Sequence, residues 1–325
     1  MNETGKALLK VKGLTTGFAL DSMTMKVVNG LDLSLNKGEV FGIVGESGSG
    51  KTMTALSIMR LVPPPGKILG GKAIFEERDL LALTLDEMNT VRGNRIGMVF
   101  QEPMSALNPV LRIGDQICET IEIHKKLSKA EIKNRALELL RGVGFDEPEK
   151  KFNQYPHQLS GGQRQRVLIA IAISCDPSLV IADEPTTALD VATESQILCL
   201  LQDLVSAKAM SMIFITHNLS IIKGLAQRVG IMYAGRMVEQ NYVDQFFSAP
   251  LHPYSKGLLE SVVWLKSDQA RLKAIPGFVP KMSDLPPGCK FNPRCPHVME
   301  ICRGDEPELK EVERGKWVRC YLYQD

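Results

Sequence analysis

Short apolar runs and longer stretches of helical period alternate along this chain. Val40-Phe41-Gly42-Ile43-Val44, Ile96-Gly97-Met98-Val99-Phe100, Leu179-Val180-Ile181-Ala182 and Met212-Ile213-Phe214-Ile215 are continuous apolar runs. Runs of this length, rich in β-branched residues, predict buried strands. Leu31, Leu33 and Leu35 alternate with Asp32, Ser34 and Asn36, the pattern of a half-buried strand. Residues 7–12 start a first strand, and residues 70–75 another after the break at Pro63-Pro64-Pro65-Gly66. Residues 53–59 predict a helix, and residues 115–145 are helical in period. Ser128 and Glu131 form a capping box ahead of Ile132, Ala136, Leu139 and Leu140. A long apolar helix follows Ser160-Gly161-Gly162 and runs through Ile173. The pattern predicts an α/β core with a helical insertion at about residues 102–175.

Composition narrows the class. Apolar content of 44% and charged content of 23% in 325 residues are those of a globular chain able to bury a sizeable core. The net charge of +2, from 39 basic and 37 acidic residues, gives no electrostatic footprint for nucleic acid. No run approaches the roughly 18 apolar residues of a membrane span, and residues 1–6 lead into no signal-peptide core. The expectation is a cytoplasmic protein whose seven cysteines are reduced or metal-bound rather than paired.

The strand ends carry the chemistry. Gly45-Glu46-Ser47-Gly48-Ser49-Gly50-Lys51-Thr52 lies between a strand and a helix and fits the phosphate-binding loop. Its glycines let successive N–H groups turn toward phosphate oxygens, and the helix N-terminus adds partial positive charge. Lys51 is expected to reach the β- and γ-phosphates and Thr52 to ligate Mg²⁺. Thr54 joins the candidate nucleotide contacts. Asp183 closes an apolar strand as the Mg²⁺-holding acid, and Glu184 follows it as general base for water. Gln101 and His217 also end apolar runs. Each alone reads as a strand-terminal hydrogen bonder, but open α/β sheets bind ligands at the carboxyl ends of their strands. That convergence makes Gln101 a candidate for Mg²⁺ or water and His217 a candidate for the reaction site. Ser160-Gly161-Gly162-Gln163 opens a helix as a second anion-binding nest with no lysine, which fits another molecule's nucleotide. Phe18 reads equally as an adenine-stacking or a packing residue.

Gly45 to Thr52, Gln101, Leu159 to Gln163, Leu179 to Glu184, Ala188-Leu189-Asp190 and His217 resemble, in that order, the Walker A, Q-loop, signature, Walker B, D-loop and H-switch of ABC transporter ATPases. The resemblance spans roughly residues 7–245. It implies a phosphate-loop ATPase core with an antiparallel β subdomain and head-to-tail dimers. On that reading Ser160, Gly161 and Gly162 contact the partner's ATP, and Phe18 takes the adenine-stacking position. Phe100-Gln101-Glu102-Pro103, Tyr155-Pro156-His157-Gln158 and Leu251-His252-Pro253-Tyr254 look more narrowly like the oligopeptide/dipeptide importer branch, its D-type rather than F-type subunit. This divides the chain into a nucleotide-binding domain, 1–245, and a C-terminal extension, 246–325.

The implied partners are an F-type second ATPase or a second copy, two transmembrane permease subunits and, indirectly, an extracytoplasmic peptide-binding protein. The implied place is the cytoplasmic side of the membrane. Nickel or another small solute is an alternative cargo. A soluble ABC ATPase of translation or DNA repair is a further class, opposed by the single cassette and the lack of a heptad run or basic patch.

Four cysteines, Cys289, Cys295, Cys302 and Cys320, crowd a Pro- and Gly-rich segment expected to have little core of its own. Their spacing leaves zinc, iron–sulfur and free thiols open. The importer resemblance implies a [4Fe–4S] cluster, with zinc as the alternative. Cys118, Cys175 and Cys199 lie in apolar helical contexts and read as core.

Overall fold

In the computed structural model of the chain, the described residues are 7–20, 23–187, 189–263 and 275–324. Residues 1–6, and Ala188 of the expected D-loop, lie outside them. The strands are β1 (Ala7–Leu20), β2 (Met23–Asn36), β3 (Val40–Val44), β4 (Gly66–Phe75), β5 (Arg78–Asp79), β6 (Ile96–Val99), β7 (Leu179–Asp183), β8 (Ser211–Thr216), β9 (Arg228–Tyr233), β10 (Arg236–Tyr242), β11 (Lys310–Glu313) and β12 (Lys316–Val318). The helices are α1 (Lys51–Ile58), α2 (Leu85–Val91), α3 (Pro103–Ala106), α4 (Ile113–His124), α5 (Lys129–Gly142), α6 (Pro148–Phe152), α7 (Gly161–Ala172), α8 (Val191–Lys208), α9 (Leu219–Leu225), α10 (Val243–Ser248), α11 (Pro253–Val263) and α12 (Ile301–Gly304). Among the described residues no helix is long and apolar enough to cross a membrane. The chain forms two units.

One unit comprises Ala7–Leu35, Val40–Leu81 and Thr216–Asp325. It holds an antiparallel sheet in the order β2-β1-β4-β5 and a second run of strands in the order β11-β12-β10-β9-β3. Leu31, Leu33 and Leu35 are buried and Asp32 is exposed, as their alternation requires. β3 is buried along its whole length and pairs in parallel with β9. β1 runs past its expected end, because its ladder with β4 continues to Phe18 opposite Gly66. The C-terminal segment also has more core than expected. Phe291, 2% exposed, sits edge-on to Tyr233 with ring centroids 5.3 Å apart, and Tyr233 packs at 4.7 Å against the buried Tyr254. A fixed aromatic cluster of this kind gives a Pro-rich segment the apolar contact that its own short elements lack.

His252 lies in the same cluster, 5.7 Å from Phe291, and its Nδ1 accepts the Tyr254 N–H. Burial, then the nearby Lys256 charge, hold its pKa down to about 3. A depressed folded-state pKa contributes stability above the unfolded value, here about 6.5, and loses it as pH falls toward 3. His252→Asn, which takes up no proton, should flatten the fall of melting temperature across that window. An identical acid profile in the variant would exclude His252 as its source.

The other unit comprises Asn36–Glu39 and Ala82–Ile215. β6, β7 and β8 lie parallel, with Val99 opposite Ala182 and Asp183 opposite Ile215. The Ser128 capping box forms at the start of α5, both of its hydrogen bonds being present. α5 then buries Ile132, Ala136, Leu139 and Leu140, and α4 buries Ile113, Ile117 and Ile121. This is the helical insertion that the spacing predicts. Of the cysteines expected in the core, Cys175 is buried and Cys118 half-buried. Cys199 is exposed, because it lies on the solvent side of α8, whose buried positions are Ile197 and Leu201.

Candidate active site

The phosphate loop leaves the carboxyl end of β3 and ends at the N-terminus of α1. The cap residue Gly50 has φ 100°, and α1 has no acidic residue in its first turn and no side-chain cap. Its first N–H groups and partial positive charge are therefore directed at the loop. Lys51 is 5% exposed, and its Nζ donates to the carbonyls of Gly45 (2.9 Å) and Glu46 (3.2 Å), bracing the loop from within. The buried Ser49 Oγ has no hydrogen-bond partner among the described residues. Buried hydroxyls are rarely left so, and an anion's oxygens would satisfy it. These features fit nucleotide phosphates.

Close packing, and not only flexibility, calls for the glycines here. A Cβ on Gly45 would lie 2.3 Å from the Met232 carbonyl oxygen, and one on Gly50 would lie 2.5 Å from that of Val27. Gly50→Ala combines that clash with a left-handed φ. It should cost about 1–3 kcal/mol of stability and weaken nucleotide binding with it, both readable in one thermal-shift titration. An unchanged melting temperature would show that the loop relaxes.

Thr54 is fully buried, and its hydroxyl donates to the Gly50 carbonyl at 2.9 Å, tying the helix start to the turn. Ser47 and Gly48 are exposed, and Thr52 is half-buried. Phe18 is half-buried, its ring lying where a Cβ on Gly66 would meet it at 2.7 Å. His217 follows β8 directly and is exposed.

In the other unit, Asp183 ends β7 and is 2% exposed. Glu184 turns sharply away with φ 44°, although its N–H still donates to Ile215 O at 2.9 Å. A left-handed non-glycine at a strand end is strained, and it re-aims the carboxylate out of the sheet. Glu184 Oε2 accepts hydrogen bonds from Thr187 Oγ1 (2.9 Å) and Gln101 Nε2 (3.4 Å). The structure thus brings together Gln101 and Glu184, which the sequence marks separately, and adds Thr187 as a partner. Ser160 caps α7 in a box with Gln163, whose Oε1 accepts the Ser160 N–H at 3.3 Å. Ser160 and Gly161 are exposed at that helix start. A Cβ on Gly162 would lie 2.4 Å from Thr193 Cγ2, so the nest packs on the first turn of α8.

The C-terminal cysteines require a correction. Cys289, Cys295, Cys302 and Cys320 line one pocket of about 10 Å³ together with His252 and Phe291. Yet among the described residues no group of three or more His, Cys, Asp or Glu side chains is arranged to hold a metal ion. Neither the expected [4Fe–4S] cluster nor the zinc alternative is supported. Burial pushes the Cys289 and Cys320 thiols up to about 11 and raises that of Cys295 as well. Metal ligation needs thiolates. Burial thus favours the neutral thiol at Cys289, Cys295 and Cys320, against ligation.

A strand–loop–helix of this form, in a chain that also carries an acid pair at the end of another buried strand, defines a phosphate-loop ATPase. Residues 28–187 match the ABC transporter family, and residues 238–302 match the C-terminal region of oligopeptide/dipeptide transporters. The chain is 48% identical over 319 residues to the oligopeptide transport ATP-binding protein AppD of Bacillus subtilis, covering 98% of this chain and 97% of that one. It is 44% identical to the oligopeptide transport ATP-binding protein OppD of Salmonella typhimurium, covering 98% of this chain and 95% of the relative. Among solved structures it resembles the dimeric, post-hydrolysis ATP-binding cassette MJ0796 bound to ADP and Pi, with TM-score 0.66 and 29% identity over 72% of this chain and 98% of that one. The chain belongs to the ABC transporter family of ATP-binding proteins, in its oligopeptide transport branch.

Proposed function

We propose that the chain is the ATP-hydrolysing subunit of a peptide importer, acting at the cytoplasmic side of the membrane. The observation that carries this is the pair of matched regions, cassette and peptide-transporter extension, in one chain aligned end to end with oligopeptide transport ATP-binding proteins. The loop from Gly45 to Thr52 binds the phosphates through its N–H groups and Lys51. Mg²⁺, when bound, neutralises phosphate charge, and Thr52, Asp183 and Gln101 supply the oxygen donors it takes. Glu184 accepts the proton of the attacking water, and Thr187 and Gln101 hold its carboxylate in place. His217 attends the transferred phosphoryl group, and Phe18 lies against the base. Ser160, Gly161 and Gly162, with Gln163 holding their turn, serve the nucleotide of a second ATPase subunit, either an F-type partner or a second copy. Two permease subunits receive the motion, and an extracytoplasmic binding protein supplies the peptide.

The signature residues belong to a site completed by another chain, so the ATPase activity per chain should rise with protein concentration. It should rise again when a partner ATPase and permeases are added. High activity in a verified monomer, independent of concentration, would overturn the shared site. Uptake assays of the reconstituted transporter with peptides and with nickel identify the cargo, and nickel uptake without peptide uptake would overturn the peptide reading.

A further inference from the structure

Glu46, the second residue of the phosphate loop, is gripped by groups lying 208 and 248 residues further along the chain. Its N–H donates to Tyr254 Oη at 3.1 Å. Its two carboxylate oxygens each lie 3.3 Å from Arg294 Nη1. Arg294 is itself fixed from several sides. Its Nε donates to Pro276 O at 3.0 Å, and its Nη1 donates to Tyr233 Oη at 3.4 Å. Its guanidinium lies 5.8 Å from the Tyr233 ring and 5.9 Å from that of Phe291. The Arg294 side chain is 6% exposed against 27% for Glu46. A distance of 3.3 Å is long for a charge-assisted hydrogen bond. The aromatic faces and the Pro276 carbonyl therefore hold the arginine, and the arginine in turn holds the glutamate.

The charge is the point of interest. A loop that collects a triphosphate presents N–H groups and a lysine, and a carboxylate beside Gly45 opposes that field. We propose that Arg294 is a positioning residue for the phosphate loop. It holds the Glu46 carboxylate against the C-terminal segment and neutralises it, so that the segment sets the loop's affinity for nucleotide. The inference rests on the reading of this loop as the ATP site. Without Arg294 the carboxylate is free to turn toward the phosphates and repel them.

The test is calorimetric titration of the full chain with MgATP. Arg294→Ala should weaken binding roughly fivefold, the size of one partly exposed charge interaction, and the loss should shrink as salt screens it. Adding Glu46→Gln to that variant should restore most of the affinity, because the repelling charge is gone. Arg294→Lys keeps a charge but loses the planar stacking, so it should show a smaller loss, again relieved by Glu46→Gln. If Arg294→Ala does not fold, the lysine pair decides. Wild-type affinity in both Arg294 variants, or a loss that Glu46→Gln leaves unchanged, would overturn the proposal. A folded wild-type chain that binds no MgATP would instead remove the ATP reading of the loop and the proposal with it, a result separable from the others because it precedes any substitution.

Discussion

Glu184→Gln should leave MgATP binding near the wild-type value and slow hydrolysis by about 10²–10⁴-fold, the usual worth of a positioned general base. The geometry makes the substitution clean. Glutamine keeps the length of the side chain, and its amide oxygen still accepts from Thr187 Oγ1, which lies 2.9 Å from the glutamate oxygen. Only the capacity to take a proton is lost. The left-handed backbone at Glu184 is the same for either side chain, so the turn that aims it survives. Measured in the assembled transporter, retained binding with a slowed single-turnover rate supports the base assignment. Wild-type turnover would remove Glu184 from that role. Thr187→Val should lower the rate less, because Gln101 still holds the carboxylate at 3.4 Å.

The buried parallel strands were legible because each is a continuous apolar run. β3 and β7 appear at nearly the expected bounds. The capping box at Ser128 was legible because its chemistry lies within four consecutive residues. What the sequence hid depends on distance along the chain or on environment. Nothing near Arg294 shows that it meets Glu46, since no local period reports a contact between such remote positions. The extent of β1 was hidden by its Gly- and Thr-rich end, which the ladder to β4, not propensity, holds extended. The cysteine spacing carried no information on burial. The pocket around Cys289 and Cys320 favours neutral thiols, and that runs against the ligation that the importer resemblance implied. Cys199 went astray for a simpler reason, since an apolar neighbourhood in sequence does not fix which helix face a residue takes.

Lys51→Ala should weaken MgATP binding by about ten- to a hundredfold, which is what one charge-assisted hydrogen bond to phosphate is worth at roughly 1.5–3 kcal/mol. The geometry of the loop shows why the lysine is suited to the exchange. Its ammonium is nearly buried and already bonded to the carbonyls of Gly45 and Glu46. Turning to a phosphate replaces neutral acceptors by charged ones, without first drawing the group out of bulk water. The same bonds make Lys51 a brace, so its removal should also lower the melting temperature of the unliganded chain. Lys51→Arg separates the two effects. The guanidinium keeps the charge but is planar and bulkier than an ammonium, so it should recover little binding. Thermal denaturation with and without MgATP reads both quantities in one series. A Lys51→Ala chain that gains as much thermal stability from MgATP as the wild type would show that loop N–H groups alone carry the affinity.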